Sequence, residues 1–226
     1  MSAQLEQYVY AKLAGGLHGR SRLDWLSRAL AICDVQTLNA AFVLASRTIG
    51  SDVLPPSDAE ALADADLACI AHGAPADELA RICVLIRATR AHGDPVALAT
   101  EWYRRGDNRE KRAVLRALSV LDDPDRYAEL GAAACRSSVQ LVFEAICSSN
   151  PFPARHFSDL AFNQMVLKAL FTGVPVSSIQ GFDARWNQEL SRMASDYARE
   201  RLVAGRSVPV DIDRVIASPA AATEAS

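Results

Sequence analysis

A chain of 226 residues, half of them hydrophobic and 23% charged, has globular rather than disordered composition and can bury a sizeable core. Its net charge of −3 argues against a general nucleic-acid or anionic-membrane binder, which carries a basic excess. The five cysteines, Cys33, Cys69, Cys83, Cys135 and Cys147, sit singly in apolar runs without a CxxC pair. They read as small buried hydrophobes in a reducing cytosol, and the close Cys/His pairs that a structural zinc needs are missing. Glu6 precedes the first basic residue, Lys12, and no apolar run near the start is long enough for a secretory signal. The run 35–46 is too short and too polar for a membrane span. The expectation is a soluble, cytoplasmic protein with no transmembrane segment, no metal and no cofactor.

In chain order, 4–13 reads as a short helix ending at Gly15-Gly16. A second helix over 22–33 carries Leu23, Leu26, Leu30 and Ile32 on its apolar face, with Ser21 able to cap it. A third follows Asp34, with Leu38, Phe42, Ala45 and Ile49 at helical spacing, and stops at Gly50. Leu54-Pro55-Pro56 is a loop, and Ser57-x-x-Glu60 is a capping box for a helix ending near His72-Gly73. The segment 77–92 places Leu79, Ile82, Cys83 and Ile86 on one side. Asp94-Pro95 then gives a cap with proline at the first helical position, and Asp107-x-x-Glu110 caps the helix ending near Leu121. Segments 126–136, 139–147, 156–171 and 185–202 follow, with a turn over 211–216 and a disordered tail over 218–226.

That is about ten helices and no convincing strand, an all-α fold. Short loops imply antiparallel hairpins, so a HEAT- or armadillo-like helical stack is the first architecture and an irregular helical bundle the second. No Pro-, Gly- or Ser-rich linker divides 1–217, which reads as one all-helical domain.

Three of the four histidines, His18, His72 and His92, each precede a glycine. That pattern marks a helix C-terminus, with glycine in the left-handed position and histidine against the last carbonyls. His156 lies instead at the expected start of the 156–171 helix and is the one histidine to consider for chemistry. Between Arg104 and Arg116 the chain is strongly basic, and Arg109, Arg112 and Arg116 share one helical face. They read as a solvated face or as a docking surface for a phosphate, a carboxylate or an acidic partner. Trp102 and Tyr103 beside them are core anchors or rim aromatics.

Counting 100° per residue from His156 puts Asp159 and Asn163 in one sector, with Val166, Leu167 and Leu170 further along it. Phe162 and Met165 fall on the opposite side, so the helix reads as buried on most sides and its polar groups need partners. In one outcome Asp159 and Arg155 pair with each other or with Glu144, and Asn163 and Gln164 tie helix ends together. In the other, the polar half lines a pocket for an anionic or hydroxyl-rich ligand, and two cations at a positive helix end mark a site.

The block NPFPARHFSDLAFNQMVLKALFTGVPVSSIQG, together with WYRRGDNREKRAVLRAL before it and NQELSRMASDYARERLVAGRSVP after it, resembles the EboA family. The likeness covers most of the chain beyond about residue 75, and NPFPARHF is its specific part. The resemblance implies a pathway more than a mechanism. EboA genes sit in the ebo cluster beside a UbiA-like prenyltransferase, a dehydroquinate-synthase-like enzyme, a TatD-like hydrolase and an isomerase-like barrel protein. In cyanobacteria that cluster is linked to moving a scytonemin precursor to the periplasm. The family carries no catalytic residue onto this chain, so the ligand-binding candidates rest on the physical argument: Asn150, Arg155, His156, Asp159, Asn163 and Gln164.

The functional expectation is a non-catalytic accessory protein of a specialised-metabolite biosynthesis or export pathway. It would hold a small polar or prenylated metabolite, or a partner enzyme such as the prenyltransferase, against 150–173. The alternative is a cofactor-independent enzyme acting on a cyclitol-like or prenylated intermediate, with His156 as acid/base, Asp159 orienting it and Arg155 holding an anionic group. A third option is a scaffold that docks a partner on Arg109, Arg112 and Arg116.

Overall fold

The computed structural model describes residues 2–14, 19–53 and 65–217. Within them lie fourteen α-helices and no strand, the β structure being one isolated bridge between Val53 and Pro75. The helices are α1 (Ser2–Ala14), α2 (Gly19–Leu30), α3 (Val35–Thr48), α4 (Ala65–Ala71), α5 (Ala76–Ala91), α6 (Pro95–Arg105) and α7 (Asn108–Ala117). They continue with α8 (Ala128–Ala134), α9 (Gln140–Cys147), α10 (Phe152–His156), α11 (Asp159–Thr172), α12 (Phe182–Arg185), α13 (Gln188–Val203) and α14 (Ile212–Ile216). No helix among the described residues is long and apolar enough to cross a membrane. Gly15-Gly16, His18, the 54–56 loop, the Ser57–Glu60 box and the tail 218–226 lie outside the described residues.

The count exceeds ten because α10 and α12 stand apart from the helices that follow them and the expected turn over 211–216 is the short helix α14. A third expected helix changes type without adding one. The 126–136 segment begins as a 3-10 turn over Pro124–Tyr127 before α8; 156–171 is split between α10 and α11; 185–202 is split between α12 and α13. Alternate helices α3, α5, α7 and α9 pack side by side in that order, and α1, α2 and α6 also rest on α5. This ordering does not by itself make a HEAT- or armadillo-type repeat.

Local signals place the helix starts. Asp34 accepts from the Thr37 N–H at 2.8 Å and its hydroxyl at 2.6 Å, and Leu38, Phe42, Ala45 and Ile49 are all buried. Asp94 accepts from Ala97 N at 3.1 Å behind Pro95. Asp107 accepts from Arg109 N and Glu110 N, both at 2.8 Å, while Asp107 N donates to Glu110 Oε2 at 2.9 Å. Each satisfies N–H groups that a helix start leaves free. The Thr37 hydroxyl and N–H hold the Asp34 carboxyl below its ordinary value. A depressed folded value means that the cap stabilises α3 above the unfolded value of about 3.9 and loses that effect as pH falls through the folded value. An NMR titration should place the Asp34 midpoint below that of an unstructured aspartate, and Thr37→Val should move it back up. An unmoved midpoint in that variant would clear the hydroxyl as the cause.

Helix α5 is the core element: thirteen of its sixteen residues are buried, so it is enclosed on nearly every side rather than on the one apolar side expected. Asp77, Glu78 and Arg81 are carried inside with it. His72 ends α4 as expected, its N–H donating to Ala68 O at 3.0 Å ahead of Gly73 at φ +63°. His92 departs from that pattern. Gly93 is not left-handed; His92 itself turns extended and its Nδ1 lies 2.7 Å from Asp94 O. The cysteines are all free thiols, with Cys83 and Cys147 buried and Cys69 and Cys135 half-buried. Cys33 is exposed, contrary to expectation, because α2 ends at Leu30 and leaves it in the loop, where Arg87 Nη2 donates to its sulfur at 2.9 Å. Trp102 is a core anchor, its ring 4.8 Å from that of Phe42.

Candidate functional site

The 150–173 stretch is not led by one long helix. Phe157 is extended (φ −86°, ψ 146°), and Ser158 starts a new helix by accepting from Ala161 N at 3.3 Å. Arg155 and His156 therefore occupy the last turn of α10, where cations suit the carbonyl end of a helix. The expected charge conflict is absent. The angular count from His156 to Asn163 also fails, because the break resets it.

The candidate residues are drawn apart. Asn150 is buried, and its Nδ2 donates to Leu115 O at 3.2 Å and Ala145 O at 2.8 Å while its Oδ1 accepts from Phe152 N at 3.0 Å. Arg155 pairs with Asp66 of α4 rather than with Asp159 or Glu144. His156 Nδ1 lies 2.6 Å from Asp125 Oδ1, so Asp125, not Asp159, orients that ring. Asp159 is 80% exposed and accepts from Arg185 Nη2 at 3.0 Å. Asn163 is buried in a reciprocal amide pair with Asn187, at 3.1 and 3.0 Å, and Asn187 Oδ1 also caps α13 through Leu190 N. Gln164 is exposed.

Sequence reasoning missed Asp66, Asp125, Arg185 and Asn187. Only Asn187 carried a local signal, as a possible cap. Arg185 holds the break itself, donating to Ala154 O at 2.6 Å and Phe157 O at 2.9 Å. Gly131 lets α8 approach from the other side: a Cβ there would stand 2.8 Å from the Phe152 ring and 2.9 Å from the Phe157 ring. Helix α11 is buried along Phe162, Asn163, Met165, Val166, Ala169 and Leu170, but Leu160 and Phe171 are exposed. It is a half-open helix, not one buried on most sides.

The basic face divides by depth. Arg109 is exposed, Arg112 is half-buried and Arg116 is buried, so the three do not make one flat surface. Arg112 Nε meets Glu78 Oε2 at 2.7 Å, and Arg116 Nε stands 3.3 Å from Glu78 Oε1. Both are ion pairs without hydrogen-bond alignment, and Glu78 Oε1 and Arg116 Nε have no hydrogen-bond partner. Arg116 Nη2 reaches Cys69 O at 2.9 Å and Ile70 O at 3.0 Å, closing the end of α4. Asp77 is taken by Arg81 at 2.8 Å, and Arg81 Nε donates to Phe42 O at 3.0 Å. Burial pushes the Glu78 carboxyl up, against the pull of Arg116 and Arg112, and pushes the Arg116 guanidinium down. Concavities of about 270 Å³ and 190 Å³ open on either side of Arg112.

A larger groove of about 540 Å³ begins where 150–173 ends. Leu170 and Phe171 of α11, Val174 after it, and Val208 and Val210 of the loop following α13 form its apolar walls. Phe171 is 69% exposed and Val210 97%. Arg201 of α13 supplies a charge: its Nε donates to Ser207 O at 2.5 Å, its Nη1 to the Tyr197 hydroxyl at 3.2 Å, and its guanidinium lies over the Tyr197 ring. Among the described residues no carboxylate pairs with it. Asp211, also in the groove, accepts from Val176 N at 2.8 Å. Such a groove can take an amphipathic molecule, an apolar body against the walls and a polar head at Arg201.

Among the described residues no group of three His, Cys, Asp or Glu could hold a metal. A family model described as "Metabolite traffic protein EboA" matches residues 17–217. No curated protein and no solved structure matches the chain.

Proposed function

This chain belongs to the EboA family, and from that premise we propose that it is a non-catalytic carrier of a small amphipathic metabolite, held in the groove between α11 and α13. The observation that carries the reading is Arg201, a guanidinium fixed by Tyr197 and Ser207 with no carboxylate of its own, set among apolar walls. The groove volume of about 540 Å³ falls in the range of small-molecule sites, roughly 300–1,000 Å³. An anionic or hydroxyl head at Arg201 with a prenyl-like body along Phe171 and Val210 uses both features. The UbiA-like prenyltransferase that the resemblance implies as a partner fits this chemistry, since its products join a polar ring to an apolar chain. The family description, metabolite traffic, supports holding and passing on over conversion. The enzyme alternative has its His156–Asp125 pair away from this groove and from the concavities at Arg112.

Geranyl phosphate is a suitable probe. Calorimetric titration of the full chain should show saturable binding. Arg201→Gln should weaken it about tenfold or more, as loss of a charge-assisted hydrogen bond of ~1.5–3 kcal/mol implies, and Phe171→Asp should weaken it as well. No binding to the parent chain, or equal affinity in both variants, would remove the groove as the carrier site.

A further inference from the structure

The two concavities beside Arg112 lie on the α5–α7–α9 face and are lined by different residues from the Arg201 groove. The first is bounded by Pro75, Arg81, Arg109, Arg112 and Leu141; the second by His72, Arg112, Leu141, Glu144, Ser148 and Ser149. Arg112 and Leu141 belong to both, so the two adjoin.

Charge in this region is unevenly matched. Four guanidinium groups, Arg81, Arg109, Arg112 and Arg116, face three carboxylates, Asp77, Glu78 and Glu144. Asp77 is taken by Arg81, and Glu78 is shared between Arg112 and Arg116. Glu144 accepts from the Gln140 amide at 2.8 Å. Arg112 commits only Nε to Glu78, leaving Nη1 and Nη2 without an acceptor among the described residues. The guanidinium of Arg109, one helical turn before it, has no partner among them. The buried Glu78 carboxylate, 2.7 Å from Arg112 Nε, holds that guanidinium beside the concavities by charge before any ligand arrives. In the second concavity His72, Ser148 and Ser149 have side chains with no protein partner among the described residues.

We propose that Arg109 and Arg112 bind the phosphate of a small hydroxylated phosphomonoester, whose hydroxyl-bearing end crosses Leu141 into the concavity at His72 and Ser148. Planar guanidinium edges match phosphate oxygens two at a time. Glu144 opposes a second anionic group in the neighbouring concavity and can accept from a ligand hydroxyl there. The ligand therefore has one charged end. With Arg116 buried behind Glu78 and volumes of about 270 and 190 Å³, the fit is to a small molecule rather than to a protein surface.

sn-Glycerol 3-phosphate, inorganic phosphate and glycerol, titrated calorimetrically into the full chain at fixed ionic strength, test the assignment. Glycerol 3-phosphate should bind more tightly than phosphate, and glycerol should not bind. Arg109→Ala should weaken both anions about tenfold, and Arg112→Lys, which keeps a cation for Glu78 but loses the planar edge, should do the same with an unchanged melting temperature. Ser148→Ala should bring glycerol 3-phosphate toward the affinity of phosphate alone. Absence of binding, or parent-like affinity in Arg109→Ala and Arg112→Lys, would overturn the site. Equal affinity for the two anions in the parent would overturn the two-concavity fit. Arg201→Gln should leave these titrations unchanged, so failure of the groove and failure of this site are separable.

Discussion

Glu78→Ala is expected to cost about 3–5 kcal/mol of unfolding free energy in urea denaturation. The side chain is buried at the start of α5 and neutralises Arg112 and Arg116 together, and Arg116 is itself buried. Removing the one carboxylate leaves two guanidinium groups competing for no counter-charge, and Arg116 cannot turn to water without releasing the α4 carbonyls. The cost comes from orphaned charge rather than from lost attraction, and that distinction is measurable. Replacing Glu78, Arg112 and Arg116 together by Met, Leu and Met should destabilise far less than the single change. A triple variant as unstable as Glu78→Ala would show that the cluster is held by its attraction alone. The triple variant should also lose glycerol 3-phosphate binding, since it lacks Arg112.

Asn150→Ala should be the next most damaging change, at roughly 3 kcal/mol or more, since three buried backbone groups lose their partner at once. The amide donates into α7 at Leu115 O and α9 at Ala145 O, and accepts from the first turn of α10. It also follows Ser149, which holds a left-handed backbone at φ +47° with its N–H on Ser178 O at 2.8 Å. Asn150→Asp should be worse still, because a carboxylate would face two carbonyl oxygens. A loss below about 1 kcal/mol for the alanine variant would mean that water takes the place of the amide.

The parts of the fold written in local code were legible. Asp34, Asp94 and the Asp107–Glu110 box each announce a helix start through side chains within three residues of it, and the structure has all three. The break between α10 and α11 also had its signal, Ser158-Asp159, but the run of large residues through Phe157 and Leu160 masks it as continuous helix. Burial of α5 was not legible. Asp, Glu and Arg are rarely inside unless paired, and the partners of Asp77, Glu78 and Arg81 lie within α5 or on α3 and α7, where periodicity cannot show which pairs form. Arg109, Arg112 and Arg116 were seen as a face, yet depth is a property of packing: about two turns of α7 take the row from solvent to core. The Arg201 groove is assembled from α11, α13 and two loops, and nothing in the spacing of its residues brings them together.

The Asn163–Asn187 pair has a mechanical consequence. Asn163 lies in the first turns of α11 and Asn187 caps α13, so both helices set out from the same amide clasp. Thr172 lies nine residues beyond one member and Arg201 fourteen beyond the other, about 14 and 21 Å along their axes at 1.5 Å per residue. The clasp is a fulcrum, and the distance between Phe171 and Arg201 is the opening of a pair of compasses. A change of a few degrees at the clasp is magnified along both arms. The two amides lie outside the groove lining, so a variant there that alters binding in the groove would act through the two helix axes.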